Sequence, residues 1–375
     1  MSPERVARVR RLCAGWVEQG LTSALVVLAA RRGVIVLHEA FGRLTPEEDS
    51  PPLRLDTLFP LMSLTKPITA TVAMTLVEDG SLGLNRPVAD YIPEFAGDGK
   101  DGVMVHHLLT HTSGLRDVDV QAHSERKKGT VAIPPPEDTQ HPWINEQVFL
   151  GYDAPLWKAP GQEMSYCNHG YVLVGEIIRR VSGRSLARLA EERIFEPLGM
   201  KDTTYVVPES RQQRVVKRPT GAPFAASLNS REAQERPGAA GGVYSTATDL
   251  ARFGQMFLNR GRYGDVRILS PASVAAMTRN QIPGIQSRFF GEFFPEASWG
   301  SGWDIHGNKK SVWNGSLLSA ATFSHGGGGM VFLWADPVYE LVGVYLSVAL
   351  ETHPNGLPKS SIDLFANAVA ASIVD

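Results

Sequence analysis

Leu61-Met62-Ser63-Leu64-Thr65-Lys66-Pro67 is the stretch on which the reading of this chain turns, because a serine and a lysine three apart stand at the mouth of an apolar run. Downstream, Thr69–Asp79 carries Val72, Leu76 and Val77 at helical spacing and stops at Gly80, so the pattern predicts a helix that starts near Ser63. Residues three apart on a helix share a face, which puts the Lys66 ammonium within reach of the Ser63 hydroxyl. The helix N-terminus turns N–H groups and a positive dipole toward the same point. Pro67 fits the first turn, where its missing N–H would be unbonded anyway. A serine hydroxyl is a poor nucleophile without a base beside it. A lysine serves as that base only if burial or nearby cations pull its pKa below about 10.4. The same spacing recurs at Ser124-Glu125-Arg126-Lys127, in a polar loop region with no following apolar periodicity, and there it reads as surface.

Tyr166-Cys167-Asn168 lies just ahead of a helical run, Gly170–Val181, with apolar Val172, Val174, Ile177, Ile178 and Val181. In an extended segment alternate residues face the same way, so Tyr166 and Asn168 point together and Cys167 points away. A phenol so placed relays protons among hydroxyl, amine and leaving group, and an amide holds the amine and the substrate's acyl side. The bland alternative is a core tyrosine beside a capping asparagine. Cys167 reads as packing rather than as a nucleophile. A third stretch, Phe323-Ser324-His325-Gly326-Gly327-Gly328-Gly329-Met330, runs into a β-rich segment. Consecutive glycines let a substrate lie along a strand edge and leave N–H groups to face an oxyanion. His325 can donate a hydrogen bond or carry charge toward a polar group of the substrate. The plainer reading is a tight turn entering a strand.

The three motifs, in this order, make the chain resemble the β-lactamase-like serine hydrolases, in the branch that holds class C β-lactamases, D-alanyl-D-alanine carboxypeptidases and family VIII carboxylesterases. Further matches are Val105-His106-His107-Leu108-Leu109-Thr110-His111-Thr112-Ser113-Gly114-Leu115, Phe195-Glu196-Pro197-Leu198-Gly199-Met200 and Ala240-Gly241-Gly242-Val243-Tyr244-Ser245-Thr246-Ala247-Thr248-Asp249-Leu250. The likeness spans about residues 5 to 370. It implies that Ser63 attacks and is acylated, that Lys66 deprotonates it, and that Tyr166 shuttles protons to the leaving group and later activates water. It further implies that Asn168 orients substrate and Lys66, and that the N–H groups of Ser63 and Gly328, just past His325-Gly326-Gly327, form the oxyanion hole. His325 stands where the lactamases of the family carry the lysine of K-T-G. An imidazole of ordinary pKa, about 6.5, is largely neutral near pH 7 and greets a carboxylate weakly. That departure tilts the expectation from β-lactams toward esters, although some peptidases of the family also carry histidine there.

The rest of the chain is read around these motifs. Its 375 residues suffice for two domains or one large one, and 43% hydrophobic with 20% charged residues is ordinary for a globular protein. A net charge of −2 offers no polycation for nucleic acid or an anionic membrane. Cys13 and Cys167 exclude a disulfide framework and read as reduced thiols. Met1–Gly20 is an Arg-rich amphipathic helix with Val6, Val9, Leu12, Cys13 and Trp16 on one side, without the apolar core of a secretory signal. Leu21–Ala30 is far too short to span a membrane. The expectation is a cytoplasmic protein. Leu25–Leu28 and Val34–Leu37 predict a hairpin, Met330–Trp334 and Leu341–Val348 a second pair, and about Ser360–Ser372 a closing helix bearing Ile362, Phe365, Ala366 and Val369. Ser185–Phe195 is another helix, with Ser185 as its cap, whereas 116–165 reads as loops around a cleft.

The expected fold is therefore an α/β (α+β) unit of the β-lactamase/transpeptidase-like kind: an antiparallel sheet from both chain ends, flanked by helices, plus a mostly helical lobe. In this division 1–62 and 236–375 form the sheet-bearing part and 63–235 the lobe, all within one catalytic unit. An α/β-hydrolase is disfavoured, because G-x-S-x-G is absent and an HGGG element should precede its serine. Zinc hydrolysis is disfavoured because His107 and His111 lack the H-E-x-x-H glutamate and read as capping a helix end and its turn. A non-catalytic relative is disfavoured by the joint presence of Ser63, Lys66 and Tyr166. The expected activity is hydrolysis of short-chain carboxylic esters by an acyl-enzyme, without metal or organic cofactor. The alternatives are a D-alanyl-D-alanine carboxypeptidase or D-aminopeptidase, a β-lactamase, or an acyltransferase using the same intermediate. Trp143, Trp157, Phe289, Phe290, Phe293, Phe294, Trp299 and Trp303 read either as walls of an apolar acyl pocket or as core.

Overall fold

The computed structural model describes residues 1–289, 292–310, 315–352 and 361–375. Its main sheet contains β1 (Thr22–Arg31), β2 (Val34–Gly42), β3 (Asp304–Ile305), β4 (Phe323–Gly327), β5 (Val331–Asp336) and β6 (Leu341–Ala349). These lie in the spatial order β2-β1-β6-β5-β4-β3, every pair antiparallel. Among the described residues, the helices of nine residues or more are α1 (Pro3–Glu18), α2 (Thr65–Glu78), α3 (Asp117–Lys127), α4 (Pro142–Gly151), α5 (Asn168–Ser182), α6 (Ala247–Leu258) and α7 (Ile362–Ala370). No helix among them is long and apolar enough to cross a membrane.

The sheet is buried on both faces, and its alternation shows how. In β1, Ala24, Val26, Leu28 and Ala30 enter the large core shared with α2, α5 and α6. The intervening Leu25, Val27 and Ala29 enter a second core with Val9, Cys13 and Trp16 of α1 and Phe365, Ala366 and Val369 of α7. Each fully buried Leu, Val or Ile contributes about 1.5–3 kcal/mol, against a net of about 0.5–1.5 kcal/mol for a ladder hydrogen bond. Burial on two faces, rather than pairing, therefore decides where this strand sits. The antiparallel sheet with helices on both sides agrees with the sequence reading, as do the two strand pairs and the buried face of the last helix. The start of that helix falls partly outside the described residues.

Several local expectations fail, each for an identifiable reason. The stretch 116–165 contains α3 and α4. In α3 only Val120 is buried, so there was no apolar stripe to read, and Pro142 is the first residue of α4, an initiator rather than a breaker. Ser124 and Lys127 consequently lie on α3, not in a loop, with Lys127 bonded to Asp153. Ser185 does cap its helix by accepting the Arg188 N–H, but that helix is a single regular turn, Leu186–Ala190, which widens into a π-turn at Glu191–Phe195. His325-Gly326-Gly327 is not a turn entering a strand: it is the strand β4 itself, and the turn comes at 328–330.

One contact pins the register of β5 and β6. Trp334 stands opposite Gly343, and a Cβ on that glycine would collide with the indole. Gly343→Ala should destabilise the protein by about 1–3 kcal/mol through overpacking. The drop in melting temperature should be partly recovered in the double variant with Trp334→Leu. An unchanged melting temperature for Gly343→Ala contradicts this assignment.

Candidate active site

Ser63 stands on a 3-10 turn, Met62–Leu64, that runs directly into α2. The turn is held from outside. Phe59–Pro60 pairs with Tyr244–Ser245, the Leu61 N–H donates to the Val243 carbonyl at 2.8 Å, and the Val243 N–H donates to Thr65 Oγ1 at 3.1 Å. Between these anchors Met62 is driven to a left-handed φ of +49°, a conformation that costs a non-glycine residue about 1–3 kcal/mol. β4 crosses the turn so closely that a Cβ on Gly327 would collide with the Leu61 carbonyl. Only glycine fits there, and it brings the strand edge against the serine.

Lys66 is fully buried, and its Nζ has three polar neighbours: Ser63 Oγ at 3.0 Å, Asn168 Oδ1 at 2.7 Å and the Ala240 carbonyl at 3.0 Å. The last two can only accept, so they take two N–H bonds and leave the third tetrahedral position aimed at the serine hydroxyl. Asp117 decides which end of the Asn168 amide faces the lysine. Asn168 Nδ2 donates to Asp117 Oδ2 at 2.7 Å, which leaves Oδ1 for Lys66. Desolvation pulls the Lys66 pKa down to about 7, against the opposing pull of the Asp117 carboxylate. A substantial share of free amine is thus present at neutral pH.

Asp117 is the residue that sequence reasoning missed. Its carboxylate also accepts the N–H of Asn168 at 2.8 Å and of His169 at 3.2 Å, and so caps the N-terminus of α5 from a different helix. It lies just beyond the quoted Val105–Leu115 segment, and no spacing signal links it to position 168. The Ala240 carbonyl was equally hidden, being backbone, although its segment had been singled out.

Tyr166 lies half-buried among the rings of His111 (4.3 Å between centroids), Phe289 (5.2 Å), Trp299 (6.0 Å) and His325 (6.3 Å), with Lys66 Nζ 4.7 Å from its own centroid. Burial raises its pKa well above that of an ordinary phenol, and the Ser63 hydroxyl, a hydrogen-bonding neighbour, offsets part of the rise. The phenol therefore keeps its proton. His111 fixes this segment, since its Nδ1 accepts the Cys167 N–H at 3.1 Å and its carbonyl accepts the Ser165 N–H at 2.8 Å. Cys167 is buried with its thiol against Asp117, while Tyr166 and Asn168 border the cleft on either side of it in sequence. His107 accepts the Met104 N–H at 3.0 Å and caps the start of the short helix Val105–Leu109.

Ser63, Tyr166, Asn168, His325, Gly326, Gly327 and Gly328 all border one cleft of about 730 Å³, with Lys66 beneath its floor. Ser63 lies in the first turn of a helix, where an N–H has no intrahelical acceptor, and Gly328 lies in the turn after β4. The His325 Nδ1 bonds to the Gly326 carbonyl at 2.8 Å, so that nitrogen carries the proton. Burial, with Lys66 nearby, lowers the imidazole pKa to about 3, and the ring is neutral. Of the aromatic residues, Trp143, Phe289, Phe294 and Trp299 line the cleft. Trp303 belongs to the core with Phe253, Phe257 and Phe323, Trp157 stacks under Arg116, Phe293 stacks with Arg288 outside the cleft wall, and Phe290 lies outside the described residues.

The family model described as Beta-lactamase matches residues 9–366. Protein Rv1367c of Mycobacterium tuberculosis is 29% identical over 91% of this chain and 88% of its own length. Esterase EstB of Burkholderia gladioli is 36% identical over 49% of this chain and 47% of its own. Among solved structures, a penicillin-binding protein homologue from Caulobacter crescentus superposes with a TM-score of 0.78 at 27% identity, covering 100% of this chain and 99% of that one.

If the Lys66 amine activates Ser63 only when unprotonated, labelling of Ser63 by a fluorophosphonate should rise with pH through a midpoint near 7. In Asp117→Asn the midpoint should move to lower pH, because the charge that favours the ammonium is gone. A midpoint that stays put in the variant removes Asp117 from this role.

Proposed function

The chain belongs to the beta-lactamase family and is a serine hydrolase of that fold, and on this premise we propose that it is a carboxylesterase for short-chain esters, working through an acyl-enzyme. The observation that carries the reading is the trigonal set of partners around Lys66 Nζ, which spends two N–H bonds on fixed acceptors and offers the lone pair to Ser63. In the first step the amine takes the hydroxyl proton while Ser63 Oγ attacks the ester carbonyl. The oxyanion forms between the N–H groups of Ser63 and Gly328, donors already in place that need no reorganisation. As the intermediate collapses, the Tyr166 phenol gives its proton to the departing alkoxide and is reprotonated from the Lys66 ammonium. Water then attacks the acyl-enzyme with the same groups running in reverse, and the acid is released with Ser63 and Lys66 restored. A phenol of raised pKa suits relay better than it suits the role of free base, which leaves that role to Lys66.

The preference for esters rests on charge. His325 is neutral, and the nearby Lys309 is committed to Asp304 and to the carbonyls of Ala297 and Ser298. Neither offers a free cation to a carboxylate. A second reading, a D-alanyl-D-alanine carboxypeptidase or β-lactamase, draws on Arg288 and Arg236, which also border the cleft, Arg236 being paired with Glu232. It is supported too by the likeness to the penicillin-binding protein homologue of Caulobacter crescentus. Transfer of the acyl group to an acceptor other than water would use the same intermediate.

Ser63→Ala should abolish hydrolysis of p-nitrophenyl acetate and butyrate while leaving the melting temperature unchanged. Tyr166→Phe should lower kcat by about a hundredfold or more, since its proton route is cut. Retention of near wild-type rates by either variant contradicts the mechanism. In a parallel panel, the p-nitrophenyl esters should be turned over with kcat/KM at least about tenfold above nitrocefin or a D-Ala-D-Ala peptide. A reversed order favours the second reading.

A further inference from the structure

One wall of the cleft comes from none of the three motifs. Residues 219–228 form a loop whose ends are tied together: the Arg218 N–H donates to Asn229 Oδ1 at 2.9 Å, and Asn229 Nδ2 donates to the Arg218 carbonyl at 2.8 Å. The Arg218 side chain is 2% exposed and donates from Nη2 to the Gly329 carbonyl at 2.9 Å. The base of the loop is thereby fastened to the turn that carries Gly328. Within the loop, Phe224 takes a left-handed φ of +62°, a costly conformation for a bulky residue. Its ring remains 44% exposed, yet it borders the cleft and approaches to 3.3 Å from the point where a Cβ on Gly328 would stand. Leu228, one helical turn on, borders the cleft beside it.

β4 gives the cleft a direction. His325 lies beside Tyr166, and Gly328 follows three residues later, about 10 Å along an extended chain. The group that protonates the leaving oxygen must stand on the alcohol side of the ester. With the oxyanion directed at the Ser63 and Gly328 N–H groups, the acyl chain leaves the carbonyl carbon on the side away from Tyr166 and runs along the edge of β4 past Gly328, where Phe224 borders the cleft. Resting on the esterase reading above, we infer that Phe224 is the end wall of the acyl pocket and sets the longest acyl chain accepted, with the Arg218–Asn229 clasp holding it in place.

The test uses two substrate series on the full-length protein: p-nitrophenyl acetate, butyrate and octanoate, which vary the acyl chain, and ethyl and octyl acetate, which vary the alcohol. Phe224→Ala should raise the octanoate-to-acetate ratio of kcat/KM at least about tenfold, with the octyl-to-ethyl ratio moving no more than about twofold. Phe224→Gly, which adopts the same φ without strain, should shift the acyl ratio equally, and Phe224→Leu should shift it less. Thermal melts and fluorophosphonate labelling of Ser63 identify folded variants. An unchanged acyl ratio in folded variants, or equal changes in both series, overturns the inference. A wild-type protein that is labelled at Ser63 but turns over no ester overturns the esterase reading itself, and this inference with it, before any variant is compared.

Discussion

The structure depends on keeping one amine out of water. An ammonium buried without compensation is costly enough that it sheds its proton instead, and Lys66 sits close to that balance. Two carbonyl-type oxygens touch it directly, and a carboxylate lies one amide further away. More compensation would hold the proton too firmly, and less would leave a buried donor unsatisfied. Much of the surrounding architecture keeps that arrangement in place. The small strand pair beside Ser63 fixes the segment that offers the Ala240 carbonyl, and Asp117 fixes the amide. His111 holds the backbone that leads from Tyr166 into α5.

The neutrality of His325 follows from the same economy of charge. A cation at position 325 would stand close to Lys66, and the two would depress one another. With a neutral imidazole there, no positive charge beside the Lys66 amine needs to be desolvated, whereas helix N-termini and backbone N–H groups are directional and carry no such cost.

How much of this was legible beforehand follows from what each signal physically is. Ser63 and Lys66 share a helix face, a relation that local spacing encodes, and Tyr166 with Asn168 share one by alternation. The two-faced sheet was visible as apolar runs at both chain ends. Asp117 was not visible, because a helix cap supplied from another helix is a tertiary contact with no local trace. α3 escaped notice because one buried residue, Val120, makes no periodicity. The glycine run of β4 left a tight turn open beside a substrate-facing strand edge, because glycine usually marks a turn. Here it marks the close passage of a strand over the serine turn, which becomes apparent only when Leu61 is seen against Gly327. Phe224 carried no signal at all, since its importance lies in an unusual backbone angle.

The pairing of β1 with β6 has a consequence for how the molecule comes into being. Val27 is the ladder partner of Tyr345, so the hairpin of β1 and β2 must wait for a segment far downstream in the chain before its open edge is filled. During that interval a strand apolar on both faces has one edge unpaired, a template for wrong association. Such distant pairing makes for slow folding. Until β4 to β6 complete the sheet, the cleft lacks the wall that carries His325 and Gly328, so nascent chains should gain the reactive serine late and all at once.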